Sequence, residues 1–264
     1  MEQAPFQAPN EAPMTPHTKL TRLADIVQAI FYKFRLKTYD AGLKKIEYLD
    51  GIMYTYDAIG EDYLSTAELL GMCDGENDEK SLLVRFGCTQ AVALMGDMLM
   101  YGVAEINCRV TVTLAKMKEP HRKFIRVSVT GERDLRDPVH EFFKITLLDT
   151  VPERSYALDL SSAQYGYYNP LVLFEEYVEE RVLELKREES LGVAKHCFSL
   201  VRDVPGRVEW KRGCAEGIFY ALRLWERRWE VRLGEMLCLY GEEFCRRKME
   251  LLDSVDEVLA IGDY

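Results

Sequence analysis

The spacing of the apolar residues changes twice along this chain, and those two changes restrict the fold more than any other feature. Leu20, Leu23, Ile26, Val27, Ile30, Phe31 and Phe34 recur at steps of three and four, the stripe of an amphipathic helix. Ala91, Val92, Leu94, Met95, Met98 and Leu99 repeat that spacing, and Gly102 stands where such a helix stops. The period then drops to two. Cys108, Val110, Val112 and Leu114 alternate over 107–114, and runs at 124–130, 140–148 and 156–160 read as further strands. From Pro170 onward the period is helical again. A Glu-rich helix is expected over 173–189. A long one follows over 208–252, bent or split at Gly234 and Gly241. Strands in the middle and helices at both ends predict an α+β fold: an antiparallel sheet with one helix packed on it, flanked by N- and C-terminal helices. The implied organisation is a flexible Pro-rich tail at 1–18, an α+β core at 19–170 and a helical extension at 171–264. Within the core, Asp50-Gly51 marks a turn between short extended pieces, Ser65 and Glu68 form a capping-box pattern, and the acidic stretch 71–80 reads as a surface loop.

Composition narrows the function classes. Asp+Glu outnumber Lys+Arg, 44 to 34, for a net charge of -10. Such a chain lacks the broad basic face that nucleic acid attracts, so nucleic acid is not expected as a partner. No apolar run approaches the roughly 20 residues of a membrane span, so no membrane partner is expected either. The start of the chain lacks the basic, then apolar pattern of a signal peptide, and a cytoplasmic protein is the plain expectation. The seven cysteines are irregularly spaced with no CxxC, which gives no support to a zinc site. Nucleotide-loop, dinucleotide, zinc-protease and serine-hydrolase motifs are missing too, and neither a metal nor a cofactor is expected.

Three residues stand out chemically. Cys88, in Phe86-Gly87-Cys88-Thr89-Gln90, falls in the first turn of the helix expected over 88–101, where free N–H groups and the helix dipole favour a thiolate. Gly87 would let a substrate approach the backbone closely. Read alone, Cys88 is better explained as a small apolar residue beginning a buried helix. A nucleophilic cysteine needs a base. Of four histidines, His17 lies in the tail, His121 in a charged turn and His196 beside Cys197 on a helical pattern, which leaves His140 at the start of a strand. Asp159 interrupts the apolar strand Tyr156-Ala157-Leu158-Asp159-Leu160, and a buried carboxylate asks for a partner. Antiparallel pairing about a turn at Asp149-Thr150 sets Phe143 opposite Tyr156, and His140 opposite Asp159. Any even change of register keeps His140 and Asp159 on one face, whereas a shift by one separates them. Nucleophile, base and orienter could thus converge as Cys88, His140 and Asp159.

This order, Cys at a helix start, His opening a strand and Asp on the next strand, resembles the transglutaminase-like group of the papain-type cysteine superfamily. The phrase Ala157-Leu158-Asp159-Leu160-Ser161-Ser162-Ala163-Gln164-Tyr165-Gly166 is similar to an Asp-x-Thr-x-x-Gln-Phe/Tyr-Gly stretch of small papain-like and uncharacterised fungal proteins. The match covers about 83–168. It implies a papain/transglutaminase-like core with Cys88 as nucleophile, His140 as base and Asp159 as orienter. The chain has Glu141-Phe142 and Leu160-Ser161 where such sequences often have Ala-Trp and Pro-Thr. It shows no upstream oxyanion glutamine, which leaves Gln90, Gln164 and the Cys88 N–H as candidate donors. Gln164 and Tyr165 follow Asp159 closely, either as cleft-lining groups or as a turn amide and a packing ring.

Two functions are compatible with these residues. One is a cysteine-dependent acyl-transfer enzyme acting on a peptide or small-molecule amide or ester, as hydrolase, amide-forming transferase or cyclase. The other is a non-catalytic interaction protein that keeps the fold and binds a protein partner, or itself, through the C-terminal helices.

Overall fold

The computed structural model describes residues 14–134, 139–200 and 206–261. Helix α1 (Pro16–Thr38) opens with Pro16 in its first turn and Thr15 as cap, the Thr15 hydroxyl accepting from the Thr18 N–H at 3.1 Å. Its apolar stripe is wholly buried. The expected tail therefore does not reach residue 18: Pro16, His17 and Thr18 are helical, and His17 stacks on Tyr156. Residues 1–13 of that tail lie outside the described residues.

Strands β1 (Leu43–Leu49) and β2 (Ile52–Asp57) form the expected hairpin, with Asp50 and Gly51 both at positive φ, as a tight two-residue turn requires. Helix α2 (Thr66–Leu70) opens with the Ser65–Glu68 capping box. The stretch expected as a loop over 71–80 instead begins helix α3 (Glu76–Val84). Its first-turn acids complement the helix dipole, and Asp78 is buried in an ion pair with Arg122. Helix α4 (Cys88–Gly102) begins where the sequence places it, and strand β3 (Cys108–Met117) follows.

The next strand, β4 (Lys123–Val127), does not return along β3. It pairs in parallel with β2 and antiparallel with β5 (Arg133–Asp134), giving a four-stranded sheet in the order β1-β2-β4-β5. Strands β6 (His140–Leu147), β7 (Arg154–Leu158) and β8 (Leu171–Leu173) belong to a second sheet. After β8 come helix α5 (Phe174–Arg181) and strand β9 (Val182–Glu189). The second sheet has five strands, all antiparallel, in the order β8-β7-β6-β3-β9.

The helix expected over 173–189 is thus half strand. Leu183, Glu184, Lys186 and Glu188 suit an exposed helix, but the free edge of β3 captures their backbone. The boundary at 170/171 fails for the same reason, since β8 and β9 lie beyond it and complete the sheet. The remaining helices are α6 (Leu191–Ser199), α7 (Arg207–Trp229), α8 (Leu233–Met236) and α9 (Gly241–Ile261). The long C-terminal helix is broken at Glu230, a left-handed residue, and again before Gly241. Gly234 lies inside α8 and bends nothing. A Cβ there would meet the Glu105 carboxylate at 2.9 Å.

The architecture is mixed α+β. One apolar core joins α1, α4, α7 and α9 to one face of the five-stranded sheet, while Tyr177 of α5 packs with Phe142 and Ala157 on the other face. Among the described residues no single helix is long and apolar enough to cross a membrane.

Candidate active site

The first turn of α4 is held from below. Phe86 adopts a left-handed φ of 54°, and its N–H donates to Gln164 Oε1 at 3.2 Å. Gly87 caps the helix without a side-chain bond. A Cβ on Gly87 would meet the Val84 carbonyl oxygen at 2.9 Å, so the turn from α3 into α4 requires this glycine, whereas its contacts with Phe31 and Arg35 of α1 would be ordinary. Arg35 of α1 is buried beneath it, donating through Nε to the Leu83 carbonyl and through Nη1 to Gln90 Oε1, both at 2.6 Å. Thr89 Oγ1 donates to Glu141 Oε1 at 3.2 Å, which ties the first turn of α4 to the start of β6.

Residue His140 is the first of β6, and Asp159 lies one position past the end of β7. The observed register pairs Phe143 with Leu158 and Ile145 with Tyr156. That is two residues away from the pairing expected from the turn, so the parity holds and His140 remains on the same face as Asp159. His140 Nε2 and Asp159 Oδ2 are 2.8 Å apart, with both side chains almost fully buried. Tyr177 Oη donates to the same oxygen at 2.7 Å. The other oxygen accepts from the Ser161 N–H at 3.0 Å and the Ser161 hydroxyl at 3.2 Å. Four donors thus surround the carboxylate. They suit an anion, and Nε2 is then the protonated nitrogen of the imidazole.

Electrostatics follow from this cage. Burial alone would raise the Asp159 carboxyl, but the His140 charge and the hydrogen bonds from His140, Tyr177 and Ser161 hold it below the ordinary value. Burial opposes charge on His140 too. It is outweighed by the Asp159 charge and hydrogen bond and by the Cys88 side chain, and the imidazole is lifted to about 10. Nδ1 is buried without a full hydrogen bond among the described residues. The Cys88 side chain is nevertheless a polar group acting on this ring. A thiol is a weak partner, and such contacts tighten in reacting complexes, so Nδ1 and the sulfur are read as one open position. Polarity is graded with depth: Cys88 is partly exposed, His140 lies beneath it, and Asp159 is enclosed.

The other expected residues take different places. Gln90 presents its side-chain oxygen to Arg35, so this amide is engaged with α1. Gln164 is the turn amide that holds Phe86; its own NH2 is buried without a partner among the described residues. Tyr165 is a packing ring, set edge-on to His140 with centroids 4.9 Å apart. Tyr177, Ser161 and Arg35 were not anticipated. An Asx-turn reading of Asp159, whose side chain bonds the N–H two residues on, would have found Ser161. No local signal marks Tyr177 or Arg35.

Two cavities adjoin α4. An apolar one of about 770 Å³, between α4, α6 and α7, reaches none of Cys88, His140 and Asp159. A polar cleft of about 240 Å³ is bounded by Phe86 and Gln90, the residues two positions either side of Cys88. None of Cys88, His140 and Asp159 lines the smaller cleft either, but it borders the turn that carries Cys88. Comparison with known proteins returns no matching family model, no similar curated protein and no similar solved structure.

Proposed function

We propose that this protein is a cysteine-dependent acyl-transfer enzyme with a papain/transglutaminase-like core. The observation that supports the reading most is the buried His140–Asp159 pair at 2.8 Å, set against a partly exposed cysteine at a helix N-terminus. A structural histidine has no need of a carboxylate bound by four donors. An imidazole that must gain and lose a proton without turning does.

In the proposed reaction the Cys88 thiolate attacks a carbonyl carbon, forming a C–S bond and a tetrahedral oxyanion. The Cys88 N–H, in the first turn of α4, and the Gln90 NH2 are the candidate donors to that oxygen. Collapse breaks the bond to the leaving amine or alkoxide, which takes the proton from His140 Nδ1. Water or an amine then gives its proton to His140 and attacks the thioester, and Cys88 leaves as thiolate. Water makes the enzyme a hydrolase; an amine makes it a transferase or cyclase. Asp159 stays ionised throughout.

The test is alkylation with iodoacetamide across pH, mapped by mass spectrometry. Below about pH 7, Cys88 should react about tenfold or more faster than the exposed Cys197 and Cys245, and His140→Ala should remove the advantage. p-Nitrophenyl acetate should leave an acetyl group on Cys88 and none on the Cys88→Ser chain. Slow, uniform labelling of every accessible cysteine would overturn the proposal in favour of a non-catalytic interaction protein.

A further inference from the structure

The polar cleft beside Cys88 is walled by Arg35, Arg85, Arg126 and Arg207, with one carboxylate among its lining residues, Asp40. In a chain of net charge -10 such a cluster runs against the overall balance. Two of the arginines have counter-ions. Arg207 Nε lies 2.8 Å from Asp40, which Lys211 also approaches at 3.5 Å, and Arg126 Nε donates to Asp57 at 2.7 Å. Arg35 and Arg85 differ. Arg35 is bound by a carbonyl and an amide oxygen, and Arg85 Nη1 by the Thr55 hydroxyl at 2.6 Å. Neither forms an ion pair among the described residues. Aromatic faces partly stand in, with Arg85 near the Phe86 and Phe124 rings and Arg35 near Tyr39. Arg85 is half-buried with no carboxylate in direct contact, and although Asp134 and Asp57 act on it from farther off, burial pulls its guanidinium down to about 10.

We infer that this cleft is an anion-binding subsite that selects acyl donors carrying a carboxylate or phosphate group, with Arg85, Arg35 and Arg126 as its binding groups. Its role toward substrate rests on the acyl-transfer reading; its binding of anions does not. Guanidinium groups match both anions through paired N–H donors. The volume is below the roughly 300–1,000 Å³ of sites for drug-sized ligands, which suits the charged end of a small substrate. The position is also suitable: Phe86 and Gln90, which flank Cys88 in the chain, line the cleft, and Arg35 Nη1 donates to Gln90 Oε1 in the first turn of α4.

Two measurements test this. First, Cys88 is alkylated by anionic iodoacetate and by neutral iodoacetamide, with exposed Cys245 of the same chain as reference. The iodoacetate-to-iodoacetamide rate ratio should be about tenfold or more higher at Cys88. Arg85→Met and Arg126→Gln should lower that ratio toward the Cys245 value. Equal ratios at the two cysteines, or a ratio indifferent to Arg85→Met, would overturn the inference. Second, succinate and inorganic phosphate are titrated into the full-length Cys88→Ser chain at fixed ionic strength. One or both should raise the melting temperature, and Arg85→Met should abolish the rise. The arm that responds tells carboxylate from phosphate. No response to either anion overturns the subsite even if Cys88 is reactive. A response together with an inert Cys88 keeps the subsite and removes the acyl-transfer reading.

Discussion

Asp159 is fully buried and Arg85 half-buried, and the protein treats these two charged groups in opposite ways. Asp159 has a histidine, a tyrosine and a serine turned toward it, and every donor in its cage comes from the chain itself. Arg85 has a threonine hydroxyl and two aromatic rings. The first arrangement is complete within the fold. The second is complete only when an anion arrives. A buried charge with all its partners supplied marks a group that must stay fixed, whereas one left with neutral partners marks a place prepared for a ligand.

The contrast is most sharply tested by deleting each charge in turn. Asp159→Ala leaves His140, Tyr177 and Ser161 facing an empty space, and loss of one member of a buried pair should lower unfolding stability by about 3–5 kcal/mol in urea titrations. Arg85→Met removes a cation that burial already disfavours, and without added anion its stability should match or exceed the wild type. Equal losses in the two variants would dissolve the distinction.

Stability against pH tests the Asp159 side next. The folded imidazole of His140, at about 10, stands above its ordinary 6.5. Its contribution is therefore full below pH 6.5 and lost as pH climbs through 10. Asp159 is held below its ordinary value of 3.8, so its contribution is full above that value and lost as acid brings the pH down through the lowered one. Thermal melts should show a decline from pH 6.5 to 10 that is flatter in His140→Gln. An unchanged decline would mean that His140 does not carry the extra proton.

A smaller loss than that of Asp159→Ala is expected from Tyr177→Phe, which removes one of the carboxylate's four donors. It should cost about 1.5–3 kcal/mol, the range for a hydrogen bond to a charged group. If Tyr177 positions the pair, the pH dependence of Cys88 alkylation should also change, which a purely structural loss would not bring about.

The two regions differed equally in how well the sequence revealed them. The Asp159 side was readable because its parts are local. A carboxylate in an apolar strand demands a partner, and the twofold period of a hairpin restricts where the partner sits, so even a register wrong by two residues kept His140 on the correct face. The start of α4 was readable from the spacing of its apolar residues. Strand β9 was not, because its charged residues favour a helix in isolation and only the unpaired edge of β3 makes them extended. The arginine cleft had no signature either. Residues 35, 85, 126 and 207 stand alone in four separate stretches, and it is the crossover of β4 to join β2 that brings Arg126 near the others.

That charged β9 has a further effect. It forms one rim of the five-stranded sheet, with Leu183 to Glu188 open to solvent and Glu184, Lys186, Arg187 and Glu188 lying along it; the opposite rim is β8, three residues long. An incoming strand would meet a fence of mixed charge on one side and almost no backbone to grip on the other. The sheet is capped against growth at both ends, so crowding this protein should not zip copies together edge to edge.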